Sequence, residues 1–146
     1  MNTISREFHA GLVAPRGVKP GRARWTGAGL SGLAVAFLLF DSAGKLIQVQ
    51  PVIDGTLALG YPREAVFGLG VALFACVALY AIPRTAVLGA ILLTGYLGGA
   101  VATHVRVGSP LFSHVLFPTY VAAAVWGGLI LRDPRLRIFL PLRRTS

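Results

Sequence analysis

Acidic residues are scarce in this chain, five Asp and Glu against 14 Lys and Arg in 146 residues. Charged residues of both signs make up only 13%, whereas a soluble domain is usually about a quarter charged. That shortage excludes an ordinary soluble globule. The single cysteine, Cys76, excludes an intrachain disulfide and the Cys-x-x-Cys pair of membrane thiol–disulfide enzymes. It lies within an apolar run, where a thiol behaves as a small hydrophobe. The chain also has no phosphate-binding glycine loop, no nucleophile–base–acid set and no carboxylates at metal-ligand spacing, so no metal site is expected.

What is present is apolar. Residues of the types AVILMFWYC make up 55% of the chain, and mean hydropathy is +0.70. The formal net charge of +9 attracts phosphate, but its placement argues against nucleic acid. Arg6, Arg16, Lys19, Arg22 and Arg24 precede the first apolar run, and Arg132, Arg135, Arg137, Arg143 and Arg144 follow the last. Basic clusters flanking an apolar middle suit anionic lipid headgroups, so the bilayer is the expected partner.

The runs predict an all-α membrane protein, an antiparallel bundle of four transmembrane helices, in one domain over residues 25–131. Residues 1–24, with three glycines and two prolines among basic residues, and residues 132–146 are expected to be basic cytoplasmic tails, the first of them flexible. The spans are predicted at Trp25–Leu46, Glu64–Ile82, Ala86–Val105 and Phe112–Leu131. Ser42-Ala43-Gly44 resemble a signal-peptide cleavage site. The long lead and a run continuing to Leu46 favour a retained span. Residues 47–63 are predicted to be a loop, with Leu57–Pro62 along the bilayer surface or in a short re-entrant turn. Pro83 ends the second span, and Thr85 is a candidate cap for the third.

An even number of spans puts both tails and Arg84 on one side, leaving Lys45, Arg63 and Arg106 on the other. Positive charge stays inside, so both termini are expected in the cytoplasm. Gly95, Gly99 and Thr103 form a small-residue stripe at spacing four, expected to pack within the bundle, with homodimerisation as the second option.

The same topology brings polar groups to one level. Asp41 and Lys45 end the first span, Arg63 and Glu64 open the second, His104 and Arg106 end the third, and His114 begins the fourth. A carboxylate inside a span is costly unless it faces the interior and finds a partner. Lys45 stands four residues after Asp41, on the same helical face and in the favourable acid-first order. Asp41, Lys45, His104 and Arg106 are therefore the candidate ligand-binding residues of an outer-face pocket for a headgroup, a quinone carbonyl or a proton. The alternative is a structural ion-pair network that pins helix ends. His104 can donate to a quinone oxygen or carry a proton. Haem ligation would need His104 and His114 facing each other at mid-membrane, and both are placed at the interface. Thr94, Tyr96 and Thr103 are polar enough to line such a pocket, while Tyr61, Tyr120 and Trp126 are expected as interface anchors or core.

Three stretches resemble the DoxX-like family of small four-helix membrane proteins. They are Phe40-Asp41-Ser42-Ala43-Gly44-Lys45-Leu46, Leu59-Gly60-Tyr61-Pro62, and Ile82 to Ala90 continuing through Gly98-Gly99-Ala100-Val101-Ala102-Thr103-His104-Val105-Arg106. The likeness spans about residues 27–136. It implies a bacterial inner-membrane location and kinship to a small subunit of thiosulfate:quinone oxidoreductases and to membrane partners of redox-stress proteins. No cysteine here is placed to carry sulfur at the outer face, so thiosulfate chemistry is not carried over. The expectation is an accessory membrane component linked to redox or stress functions, without catalytic activity of its own and with a redox-enzyme subunit as partner. The alternatives are a quinone-binding subunit using Asp41, Lys45 and His104, and a small transporter. The latter needs a carboxylate deeper in the first span than Asp41.

Overall fold

The computed structural model describes residues 21–133 and Leu136, so most of both basic tails lies outside the described residues. The elements are α1 (Arg22–Leu46), α2 (Gln50–Ala58), α3 (Arg63–Ala81), α4 (Ala86–Arg106), a π-helical turn (Leu111–Val115) and α5 (Phe117–Arg132). Four helical stretches are long and apolar enough to cross a membrane: α1, α3, α4 and Leu111–Arg132. In hydrocarbon every backbone N–H and C=O needs an internal partner, which a continuous helix supplies.

Each span starts and stops for a local reason. Pro62 precedes α3 in extended conformation, and Glu64 in the first turn complements the helix dipole. At the other end Ile82 is forced into extended backbone by the proline that follows it. The Thr85 hydroxyl makes no cap bond to α4; it donates backwards to the Leu79 carbonyl at 2.8 Å, satisfying an orphan acceptor of α3. The first helix begins at Arg22, three residues ahead of Trp25.

The stretch predicted as a loop contains α2. Pro51 stands in its first turn, where a missing N–H costs nothing, and buried Ile53 and Thr56 anchor it to the bundle. Gly60, at φ +84°, then turns the chain toward Tyr61 and Pro62.

The spans form a ring in which α1 packs on α3 and α5, and α4 packs on the same two from the opposite side. Across the diagonal, α1 and α4 make no close backbone approach among the described residues. The start of α1, the end of α5 and the 82–85 turn mark one end of the bundle; α2, residues 107–110 and the π turn mark the other, here called the loop end. Leu38, Leu73, Val77, Leu93 and Val125 fill the core. Leu33, Phe40, Phe67, Phe74, Ile91 and Phe112 point outward as lipid-contacting surface.

Buried polar groups in this core are tied together. Tyr80, fully buried, donates from its hydroxyl to the Val125 carbonyl at 2.8 Å. Ser31 stands 2.9 Å from the same phenol, and because the phenol's single hydrogen is committed, Ser31 is the donor. One tyrosine thus joins α1, α3 and α5.

The glycines that bring helices together are not those of the predicted stripe. A Cβ at Gly27 would meet Leu131 and the Gly128 carbonyl, one at Gly128 would meet Ser31, and one at Gly89 would strike the Tyr80 backbone. A Cβ at Gly95 or Gly99 would meet nothing within 4 Å. These two glycines do not pack helix against helix within the bundle. They leave space.

Candidate functional site

That space is a cavity of about 430 Å³ between α1 and α4, within the size range of small-molecule sites. Gly95 and Gly99 form part of one wall, and Phe37, Leu97, Phe117 and Val121 supply apolar surface. Phe37 and Phe117 meet edge to face with ring centres 5.4 Å apart, closing the side between α1 and α5. The diagonal stays open because side chains on this face of α4 are small at every fourth position.

A second cavity, about 550 Å³, lies toward the loop end under α2 and is lined additionally by Val107, Ser109 and His114. The two share Asp41, Lys45, Thr56, Leu59 and His104. These residues form a neck between an apolar chamber inside the bundle and a more polar vestibule at its end.

The neck is built by neighbouring turns. Lys45 donates to Asp41 Oδ1 at 2.5 Å, one helical turn apart, with the Lys45 side chain 13% exposed and Asp41 35%. Gly70 makes room for this turn: a Cβ there would come within 2.8 Å of Lys45 Cβ. Opposite, on α4, the Thr103 hydroxyl donates to the Gly99 carbonyl at 2.9 Å. It therefore accepts from the Tyr61 phenol, also at 2.9 Å. Tyr61 and Thr103 line the inner chamber and fasten the α2–α3 connection to α4. His104 Nδ1 is 3.1 Å from Ser109 Oγ, and its ring meets that of His114 edge to face at 5.8 Å between centres.

Three of the four candidate residues, Asp41, Lys45 and His104, meet at the neck. Arg106 lies outside both linings; its Nη2 donates to the Leu59 carbonyl at 2.8 Å and holds the end of α2 against α4. Of the threonines and tyrosines singled out in the spans, Tyr96 and Thr103 line the chamber. Thr94 instead accepts from Trp126 Nε1 at 2.8 Å, a strut between α4 and α5. Sequence reasoning missed Thr56 and the role of Tyr61. Thr56 lay in a presumed loop, and Tyr61 looked like one more aromatic at the interface.

The profile of the DoxX-like family matches residues 29–128, more than half of the chain. The chain belongs to the DoxX-like family. No curated protein and no solved structure matches it. The matched segment of this DoxX-like protein includes the whole neck, from Asp41 to His104, and also His114 in the vestibule. Chemically the neck offers a cationic donor, a carboxylate and an imidazole at one level. Beside them an apolar chamber can take a ring or hydrocarbon. That combination suits an amphiphile whose polar head carries carbonyl or hydroxyl oxygens.

Proposed function

We propose that this DoxX-like protein is an accessory membrane component that binds a quinone-class molecule, serving a redox or stress function beside a partner enzyme. The ring would occupy the chamber between Phe37 and Gly99, and a ring oxygen would accept from Lys45 or His104 at the neck. The observation that carries this reading is the neck itself: a mostly buried ammonium and an imidazole at the boundary of an apolar cavity inside a bilayer. Such groups are costly within a membrane and mark ligand or proton paths. Positive-inside charge favours termini in the cytoplasm and the vestibule facing out, and the family favours a bacterial inner membrane.

The test is quinone carried through purification. Solvent extraction of the detergent-purified protein, followed by mass spectrometry, should recover quinone near equimolar with wild type and little with Asp41→Asn or His104→Ala. Added short-chain benzoquinone should raise the melting temperature of wild type and leave both variants unmoved. Absence of quinone from wild type, together with identical shifts in all three proteins, would overturn the proposal.

A further inference from the structure

The opposite end of the bundle carries a third cavity, of about 600 Å³, that the quinone reading does not use. Arg24 and Ala28 on α1, Pro83 and Ala86 at the α3–α4 turn, and Leu129, Arg132 and Asp133 at the end of α5 line it. Two arginines from opposite ends of the sequence thus line one hollow, together with the acidic Asp133. Arg132 is held there by Tyr80, its guanidinium carbon 5.3 Å from the ring centre. Tyr80 is itself fixed by Val125 and Ser31, so the cation is positioned by the core rather than left to wander.

We propose that this cavity binds the phosphate headgroup of an anionic phospholipid, gripped by Arg24 and Arg132. Guanidinium is planar and weakly hydrated, and its paired N–H groups match phosphate oxygens. Apart from Asp133, the other lining residues (Ala28, Pro83, Ala86 and Leu129) are apolar and suit the glycerol and the first acyl carbons. The lipid source follows from position. The cavity stands at the ends of the spans, and Trp25, 71% exposed on the turn beside Arg24, is an aromatic of the kind that settles at headgroup depth. Both arginines lie outside the segment matched by the family profile.

Native mass spectrometry of the full chain, released from micelles containing equal phosphatidylglycerol and phosphatidylcholine, tests the assignment. Wild type should retain the anionic lipid by about thirtyfold over the zwitterionic one, the order expected when two arginines act together at about 1 kcal/mol each. Arg24→Gln/Arg132→Gln should abolish the preference. Arg22→Gln/Arg84→Gln, which removes the same charge at the same end outside the cavity, should preserve it. Equal losses in both pairs would mean a diffuse basic surface and overturn the site, as would no preference in wild type. Displacement of the lipid by excess glycerol phosphate would assign the cavity to soluble phosphates and also overturn the proposal. If the first pair fails to fold, Ala28→Leu is decisive: it narrows the cavity and keeps both charges. Loss of preference there supports the site, and unchanged preference refutes it.

Discussion

The Tyr61 phenol donates to the Thr103 hydroxyl across 2.9 Å, joining the segment before α3 to the cavity face of α4. Thr103 passes its own hydrogen to Gly99, so the three residues form a directed chain along the chamber wall. Removing the phenol hydrogen in Tyr61→Phe should cost about 1 kcal/mol, the usual worth of one intramolecular hydrogen bond. A double-mutant cycle with Thr103→Val, read by thermal unfolding in detergent, should show coupling of that order. Additive effects would mean the bond does not form.

Gly99 and Gly89 should respond oppositely to the same added atom. Gly99→Ala places its Cβ in open space, so stability should stay within about 0.5 kcal/mol, as for substitutions that disturb no packing. Gly99→Leu should keep the fold and abolish ligand binding by filling the chamber. Gly89→Ala pushes into the Tyr80 backbone and should cost at least the 1–3 kcal/mol typical of overpacking, roughly. Melting curves of the three variants, with binding measured on the folded ones, check the contrast.

Asp41 should matter for stability as well as binding. Asp41→Asn leaves the Lys45 ammonium, 13% exposed, without its anion. The expected loss is about 1–3 kcal/mol, between the limits for exposed and buried pairs because Asp41 remains 35% exposed. Lys45→Met in the Asp41→Asn background should recover most of it, since no charge is then stranded. A double variant no more stable than Asp41→Asn alone would contradict this.

Tyr80→Phe should be costlier than Tyr61→Phe. It strips a donor from the Val125 carbonyl and an acceptor from Ser31 in a fully buried place, leaving both to find new partners. A loss of about 2–3 kcal/mol is expected, and restoring volume without the hydroxyl should not relieve it. Unfolding of Tyr80→Phe beside Ser31→Ala separates the two bonds.

The four spans were legible because hydrocarbon imposes a blunt demand, about twenty apolar residues without charge, that little else in a chain imitates. Their observed ends differ from expectation by a few residues at most. Asp41 and Lys45 were equally readable, since spacing four on a helix makes them neighbours whatever surrounds them. The segment around α2 was not. Pro51, Asp54 and Gly55 look like loop punctuation, yet proline is harmless in a first turn and burial of Ile53 and Thr56 does the rest. Gly95 and Gly99 misled for a different reason. Small-residue spacing shows that something can approach, and whether a helix or a cavity fills the room is settled by the opposite wall. Arg106 shared the level of the other polar groups, but level alone does not say that a long side chain turns away to a backbone carbonyl.

The central claim is that a ligand head sits at the Asp41–His104 neck with its ring inside the bundle. Photolabelling of the reconstituted protein with an azido-benzoquinone, followed by peptide mapping, tests it most directly. Adducts should concentrate in residues 37–45 and 95–104 and fall sharply in His104→Ala. Adducts spread over the lipid-facing Phe67 and Phe74, unchanged in that variant, would contradict the account.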